Sequence, residues 1–464
     1  MSQSPDTSRI LSVPALTRVE GETALRLRIH DRTVTEARLS IYEAPRFFEA
    51  LLRGRAHTEP PDLTSRICGI CPVAYQLSAC RAVEDACGVD VDGRLARLRR
   101  LLYCGEWIES QTLHIYLLHA PDFLGHDDVI GMSRSEPAHV RRGLRLKQTG
   151  NAVVELLGGR AVHPVSVRLG GFHRTPTRTE LRPLAERLRV ALDDAWDTVQ
   201  WVAGFDFPDA ECEADLLALA EPGTYAIESG APTVVPYDAA HPAWSFPLRT
   251  FCDHVTETQV PHSTALHSRL DGRRHLTGSL ARYAVSGHLL SPTALEAAAA
   301  AGLDDPPLRQ GRDGTGPGTV CRNPFRSILV RAVEVFYAVE EALRIITEYE
   351  RPASPYVPVP ARSGVGHGAT EAPRGLLYHR YAFDGEGRVT DARIIPPTAQ
   401  NQGAIEEDLR RSVQAALDSG QDSEAELTRL CERVIRNHDP CISCSAHFLD
   451  LNLETACPHP TGPV

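Results

Sequence analysis

Two C-x-x-C motifs set far apart, Cys68/Cys71 and Cys441/Cys444, constrain this chain more than any other feature. Each motif puts two thiols on one side of a turn, and 370 positions separate Cys71 from Cys441. If the pairs meet, most of the chain closes around one four-sulfur site. Pro72 follows Cys71, and Asp439-Pro440 precedes Cys441. These flanks predict that each pair sits at the start of a helix, with Asp439 as the cap of the second. Free N–H groups and the helix dipole there favour the thiolate, the form that binds metals.

The remaining cysteines are Cys80, Cys87, Cys104, Cys212, Cys252, Cys321, Cys431 and Cys457. Twelve cysteines in 464 residues are too sparse for a disulfide scaffold, and these eight read as small buried hydrophobes in a reducing compartment. Four thiolates have three uses: structural zinc, an iron–sulfur cluster, or a redox-active nickel site. A thioredoxin-like dithiol is a fourth reading, although the C-P-x-C form is absent. Zinc staples usually close short loops in small domains, whereas these pairs bracket a large chain. Glu20, Glu49, Asp439, Arg66 and His447 also make the surroundings richer than a structural metal demands.

Composition excludes several classes. With 42% apolar and 23% charged residues, the chain is globular rather than disordered or fibrous. A net charge of -11 gives no general attraction to nucleic acid or anionic membrane, and Lys147 is the only lysine. No apolar run is long enough for a membrane helix, and the start MSQSPDTSRI lacks a signal-like stretch, so a cytoplasmic protein is expected. No G-x-G-x-x-G follows a strand, and no further four-cysteine motif remains, so neither flavin, nicotinamide nor iron–sulfur cluster is expected in this chain.

Periodicity predicts strands within 13–43, a short helix over 45–54, and helices over 73–87, 94–119, 181–202, 327–349, 402–417 and 424–436. The run 311–320 is a glycine-rich loop, and 351–364 is extended by its prolines. A hairpin turns around Asp384-Gly385. The expected class is mostly α with small β-sheets, a β-rich part at about 13–43 and a helical core at about 66–203 and 327–447.

The segments RICGICPVAYQLSACRAVEDACG (66–88) and NHDPCISCSAH (437–447) closely resemble the two signatures of the [NiFe] hydrogenase large subunit. RVEG at 18–21, FFEALLRGR at 47–55, APRG at 372–375 and PPTAQN at 396–401 match in the same order. The resemblance implies one large domain over 1–447 with the hydrogenase large-subunit fold, related to the quinone-site subunit of respiratory complex I, which lacks the four cysteines. It implies a Ni-Fe(CN)2CO centre, with Cys68 and Cys441 as terminal nickel ligands and Cys71 and Cys444 bridging to iron. It makes Glu20 the carboxylate that exchanges a proton with Cys441, and Arg374, beside Pro373, the guanidinium over the open metal edge. Asp439 becomes a supporting carboxylate. Glu49, His447 and the main-chain carbonyl of Ile394 become ligands of Mg2+ or a similar cation.

Tyr75 stands where many members of the family have histidine, and Ser110-Gln111 replace an Asp-His pair of the membrane-linked enzymes. Tyrosine there is expected to hydrogen-bond the Cys71 sulfur. The wording looks most like the bidirectional group 3b type, also called sulfhydrogenases, acting on H2 and coupled to NADP(H) or NAD(H). An iron–sulfur small subunit, a flavin-containing diaphorase, nickel and iron insertion proteins and a maturation protease are therefore the implied partners. The protease would remove 448–464, the segment beyond His447.

Overall fold

A computed structural model describes residues 8–44, 46–91, 93–303 and 320–446. His447, the segment 448–464 and most of the 311–320 run lie outside the described residues. The architecture is mostly α-helical with small β-sheets. Among the described residues, no helix is long and apolar enough to cross a membrane.

The first cysteine pair leads into the helix Pro72–Cys87, which is buried on nearly every face and stops at left-handed Gly88. Around it lie Gly93–Leu113, Pro137–Gly158, Arg178–Ala203 and Ser327–Thr347, which share the largest apolar core. The expected helix over 94–119 leaves α geometry at its end: His114–His119 is a π-helical turn. Such turns displace side chains from helical register and are frequent at functional sites.

Three antiparallel strands, Gly364–Ala372, Gly375–Phe383 and Val389–Ile395, form a sheet that covers Pro72–Cys87. The last two are the expected hairpin, and the first, GVGHGATEA, is a strand not assigned from the sequence. Its glycines have a packing reason. A Cβ on Gly366 would stand 2.0 Å from the Ala82 carbonyl oxygen, and one on Gly368 would stand 2.3 Å from that of Ser78. Only glycine lets strand and helix backbones approach so closely.

At the other end of the chain in sequence, Arg9–Val13, Thr23–His30 and Thr33–Ile41 form an antiparallel sheet. It packs on the C-terminal helices Pro397–Asp418 and Glu424–Asn437, with Leu25, Leu27, Leu39, Leu409 and Val434 in the shared core. That contact brings residue 20 within reach of residue 441. The expected 45–54 helix shortens to Phe48–Leu52 because Phe47 is left-handed, at φ 55°, which no α-helix continues through.

Candidate metal centre

Gly21 explains how the N-terminal loop reaches the second cysteine pair. At φ 89°, it turns RVEG flat against the CISC turn, where a Cβ would lie 2.5 Å from the Ile442 Cβ. Glu20 and Cys441 consequently form a parallel β-bridge, with Ile442 N–H donating to the Glu20 carbonyl oxygen at 3.0 Å. Arg46 binds the two cysteine segments to each other: its guanidinium donates to the carbonyl oxygens of Ile67 and Ser443. The chain closes as its spacing required.

The sulfurs of Cys68, Cys71, Cys441 and Cys444 all lie within 4.8 Å of one another. Cys68 is 3.5 Å from Cys441, Cys71 is 3.5 Å from Cys444, and the Cys441 and Cys444 sulfurs are 2.6 Å apart. All four are buried, none more than 3% exposed. Burial pushes the Cys441 and Cys444 thiols up, while hydrogen bonds from the neighbouring cysteines hold Cys68 well down. A bound cation is what would let four such groups ionise together.

The helix geometry agrees with expectation at Pro72, the first residue after N-cap Cys71. It corrects the reading of Asp439. The second short helix is Ile442–Ser445 with Cys441 at its N-cap, and Asp439 lies before it at φ 48°. Asp439 instead serves Arg374: its carbonyl oxygen accepts from Arg374 Nε at 3.0 Å, and its Oδ1 is 3.3 Å from Nη2. Arg374 Nη1 is buried without an acceptor, Nη2 has only that Asp439 oxygen, and the charge acts on Cys441, Cys71 and Cys68. An unsatisfied guanidinium nitrogen beside four thiols fits a metal carrying a diatomic acceptor such as cyanide.

Glu20 is partly buried, and its Oε2 accepts from Cys441 Sγ at 3.1 Å and from Ser443 N–H at 3.0 Å. Ser443 Oγ in turn donates to Glu43 Oε1 at 2.9 Å. Tyr75 is buried at the cluster, but its hydroxyl donates to the Cys444 carbonyl oxygen at 3.5 Å, rather than to the Cys71 sulfur as expected. Ser110 and Gln111 are buried nearby on Gly93–Leu113, with side-chain atoms that find no partner.

Glu49 and Ile394, both expected at the cation site, lie side by side. The Ile394 N–H donates to Glu49 Oε1 at 2.7 Å, so the contact between them runs through the amide and not the carbonyl oxygen. Burial pushes the Glu49 carboxyl up to about 7. A buried carboxylate of that kind suits a hard cation.

The APRG turn is held by residues that carry no motif. Arg282, 1% exposed, forms a two-pronged ion pair with Glu334 at 2.7 Å and reaches Glu371 Oε2 at 3.3 Å. It also donates to the carbonyl oxygens of Ala372 at 3.0 Å and Pro373 at 3.1 Å, directly before Arg374. PPTAQN works similarly. Asn401 clasps both backbone groups of Thr277, whose Oγ1 accepts from Leu376 N–H, while Thr398 Oγ1 accepts from Cys441 N–H at 3.0 Å. Glu106 accepts from Val73 and Ala74 N–H, placing a carboxylate at the start of the Cys71 helix. Arg282→Met should leave two carboxylates buried without their partner and cost about 3–5 kcal/mol. The denaturant midpoint of the purified protein measures it; an unchanged midpoint rejects the positioning role.

Four buried thiols between a carboxylate and a guanidinium form a four-cysteine metal-binding cluster. The nickel-dependent hydrogenase family pattern matches residues 46–142 and 324–447. Sulfhydrogenase 1 subunit alpha of Pyrococcus furiosus is 33% identical over 445 residues, covering 95% of this chain and 98% of that relative. Sulfhydrogenase 2 subunit alpha of the same organism is 34% identical over 446 residues, covering 95% and 100%. The crystal structure of an NAD+-reducing [NiFe]-hydrogenase in the H2-reduced state superposes with a TM-score of 0.83 at 25% identity, covering 95% of this chain and 99% of that one. The chain belongs to the nickel-dependent hydrogenase family and is of its large, catalytic-subunit type.

Proposed function

We propose that this chain is the catalytic subunit of a bidirectional [NiFe] hydrogenase, interconverting H2 with protons and electrons and exchanging the electrons with NAD(P)(H). The observation that carries the reading is the four-sulfur cluster with Glu20 on one sulfur and Arg374 beside it. Similarity to two sulfhydrogenase alpha subunits and to an NAD+-reducing enzyme supports the acceptor. That both sulfhydrogenase relatives are alpha subunits supports a multi-subunit assembly; an iron–sulfur small subunit and a diaphorase as the partners, in the cytoplasm, rest on the sequence resemblance.

When bound, a Ni-Fe(CN)2CO centre supplies the place where H2 splits heterolytically and its electrons are held. Cys68 and Cys441 would hold the nickel, and Cys71 and Cys444 would hold nickel and iron together, because soft thiolates suit both metals. Glu20 receives or returns the proton at the Cys441 sulfur, 3.1 Å away, within the reach general acid–base transfer needs. Ser443 N–H fixes the carboxylate, and Glu43 lies one hydrogen bond further along through the Ser443 hydroxyl. Asp439 aims the Arg374 guanidinium through Nε and Nη2, leaving Nη1 for a bound acceptor. Pro373, buried, lines the same side, and Tyr75 steadies the Cys444 backbone.

Glu49, with Ile394 and His447, is proposed to hold Mg2+; the burial of the Glu49 carboxylate supports this. One domain over 1–447, a cleavable 448–464 and kinship with the complex I subunit belong to the same proposal and rest on the sequence resemblance. Metal analysis with infrared spectroscopy of the purified complex tests the whole. Nickel and iron with CO and cyanide stretching bands are expected; zinc alone would overturn the reading in favour of a structural thiolate site.

A further inference from the structure

The nickel centre leaves one other cluster of metal-ligating side chains unexplained among the described residues: His262, His267 and Glu406, whose ligand atoms all lie within 4.8 Å of one another. They come from three places. Glu406 is on the helix Pro397–Asp418, His267 opens the strand His267–Leu270, and His262 lies in the loop before it. His262 Nε2 is 2.9 Å from Glu406 Oε1, and His267 Nδ1 is 4.0 Å from Glu406 Oε2.

A hydrogen bond from His262 to Glu406 would be an ordinary tie between loop and helix, but it leaves His267 without a role. That ring is only 6% exposed, makes no hydrogen bond among the described residues, and has a buried Nε2 with no partner. A buried imidazole is normally satisfied, and an unsatisfied one asks for an explanation. Burial also pushes its pKa down to about 4, with His262 adding to the effect, so the ring is neutral, the form that ligates metals.

We propose that His262, His267 and Glu406 form a second metal site, for a borderline divalent cation of the zinc type, completed by water. Two imidazoles and one carboxylate are a zinc donor set, whereas Mg2+ and Ca2+ take oxygen ligands. Ligand atoms about 2.0–2.1 Å from a tetrahedral ion stand roughly 3.4 Å apart. His262 Nε2, 2.9 Å from Glu406 Oε1, and His267 Nδ1, 4.0 Å from Oε2, put one nitrogen of each ring near that spacing from the carboxylate. The ion would clamp elements that also frame the nickel site. Glu406 Oε1 accepts from Leu39 N–H at 3.0 Å, and Thr264, two residues after His262, donates to the Glu43 carbonyl oxygen at 2.9 Å. The helix carrying Glu406 also carries Thr398, which holds Cys441 N–H.

The test uses the nickel-loaded complex, whose four thiolates are already occupied, stripped with a chelator and titrated with Zn2+ or Co2+. One further equivalent of Zn2+ per chain is expected, with a rise in Tm. Co2+ should give visible bands without sulfur charge transfer. His267→Gln and Glu406→Gln should each weaken Zn2+ binding by roughly 100-fold or more while nickel content stays. If His267→Gln does not assemble, His262→Gln, at a partly exposed position, replaces it. Equal Zn2+ binding by wild type and variant, or no added equivalent in the wild type, overturns the site.

Discussion

Cys441→Ser should abolish hydrogen turnover and leave the chain without nickel. The serine keeps the backbone that makes the turn, including the Cys441 N–H bond to Thr398 and the bridge to Glu20, so the local fold should survive. What changes is the donor. A hard hydroxyl is a poor ligand for a borderline-soft metal, and in a fully buried pocket it does not ionise to compensate. Cys71→Ser should behave alike, since its sulfur stands opposite Cys444 in the same cluster. Cys80→Ala supplies the comparison: Cys80 is equally buried, and burial pushes its thiol well up, but it lies outside the cluster. Elemental analysis and H2-dependent dye reduction should show nickel and activity retained in Cys80→Ala and lost in the other two. Full nickel and activity in Cys441→Ser would remove the ligand assignment.

The parts of the site that were legible in the sequence are those whose chemistry is local. Two cysteines three positions apart and a proline beside each pair are visible without knowing the fold. The helices 73–87, 181–202 and 327–349 were legible because apolar periodicity is local as well, and they are found at Pro72–Cys87, Arg178–Ala203 and Ser327–Thr347. Arg282, Glu334 and Glu371 were not legible. Each is a charged residue in an unremarkable segment, and only the fold makes them one buried network. Glu106 and Glu43 were missed for the same reason. Pro137–Gly158 went unassigned, and so did the strand Gly364–Ala372, whose glycines answer to a neighbouring helix rather than to its own chain. Asp439 was misread because Asp-Pro before a cysteine pair matches a cap, while its carbonyl oxygen and carboxylate both face the Arg374 guanidinium, 65 positions away in sequence.

Glu20→Gln should keep nickel and iron yet slow proton exchange with solvent by about 10²–10⁴-fold, the usual contribution of a positioned acid or base. The amide has nearly the shape of the carboxylate, and its oxygen can still accept from Ser443 N–H, which now bonds Oε2 at 3.0 Å. Gly21 keeps the loop against Ile442 in either case. The variant loses the ability to take a proton from the Cys441 sulfur at 3.1 Å and pass it on. Turnover and hydrogen–deuterium exchange should therefore fall together, while infrared bands of the metal ligands stay near their wild-type positions. Glu22 provides the control, being two residues along but exposed, so Glu22→Gln should exchange normally. A structural role for Glu20 predicts the opposite pattern, with metal content and turnover falling in step. Full metal with unchanged exchange would move the proton route to another group on the cysteine cluster.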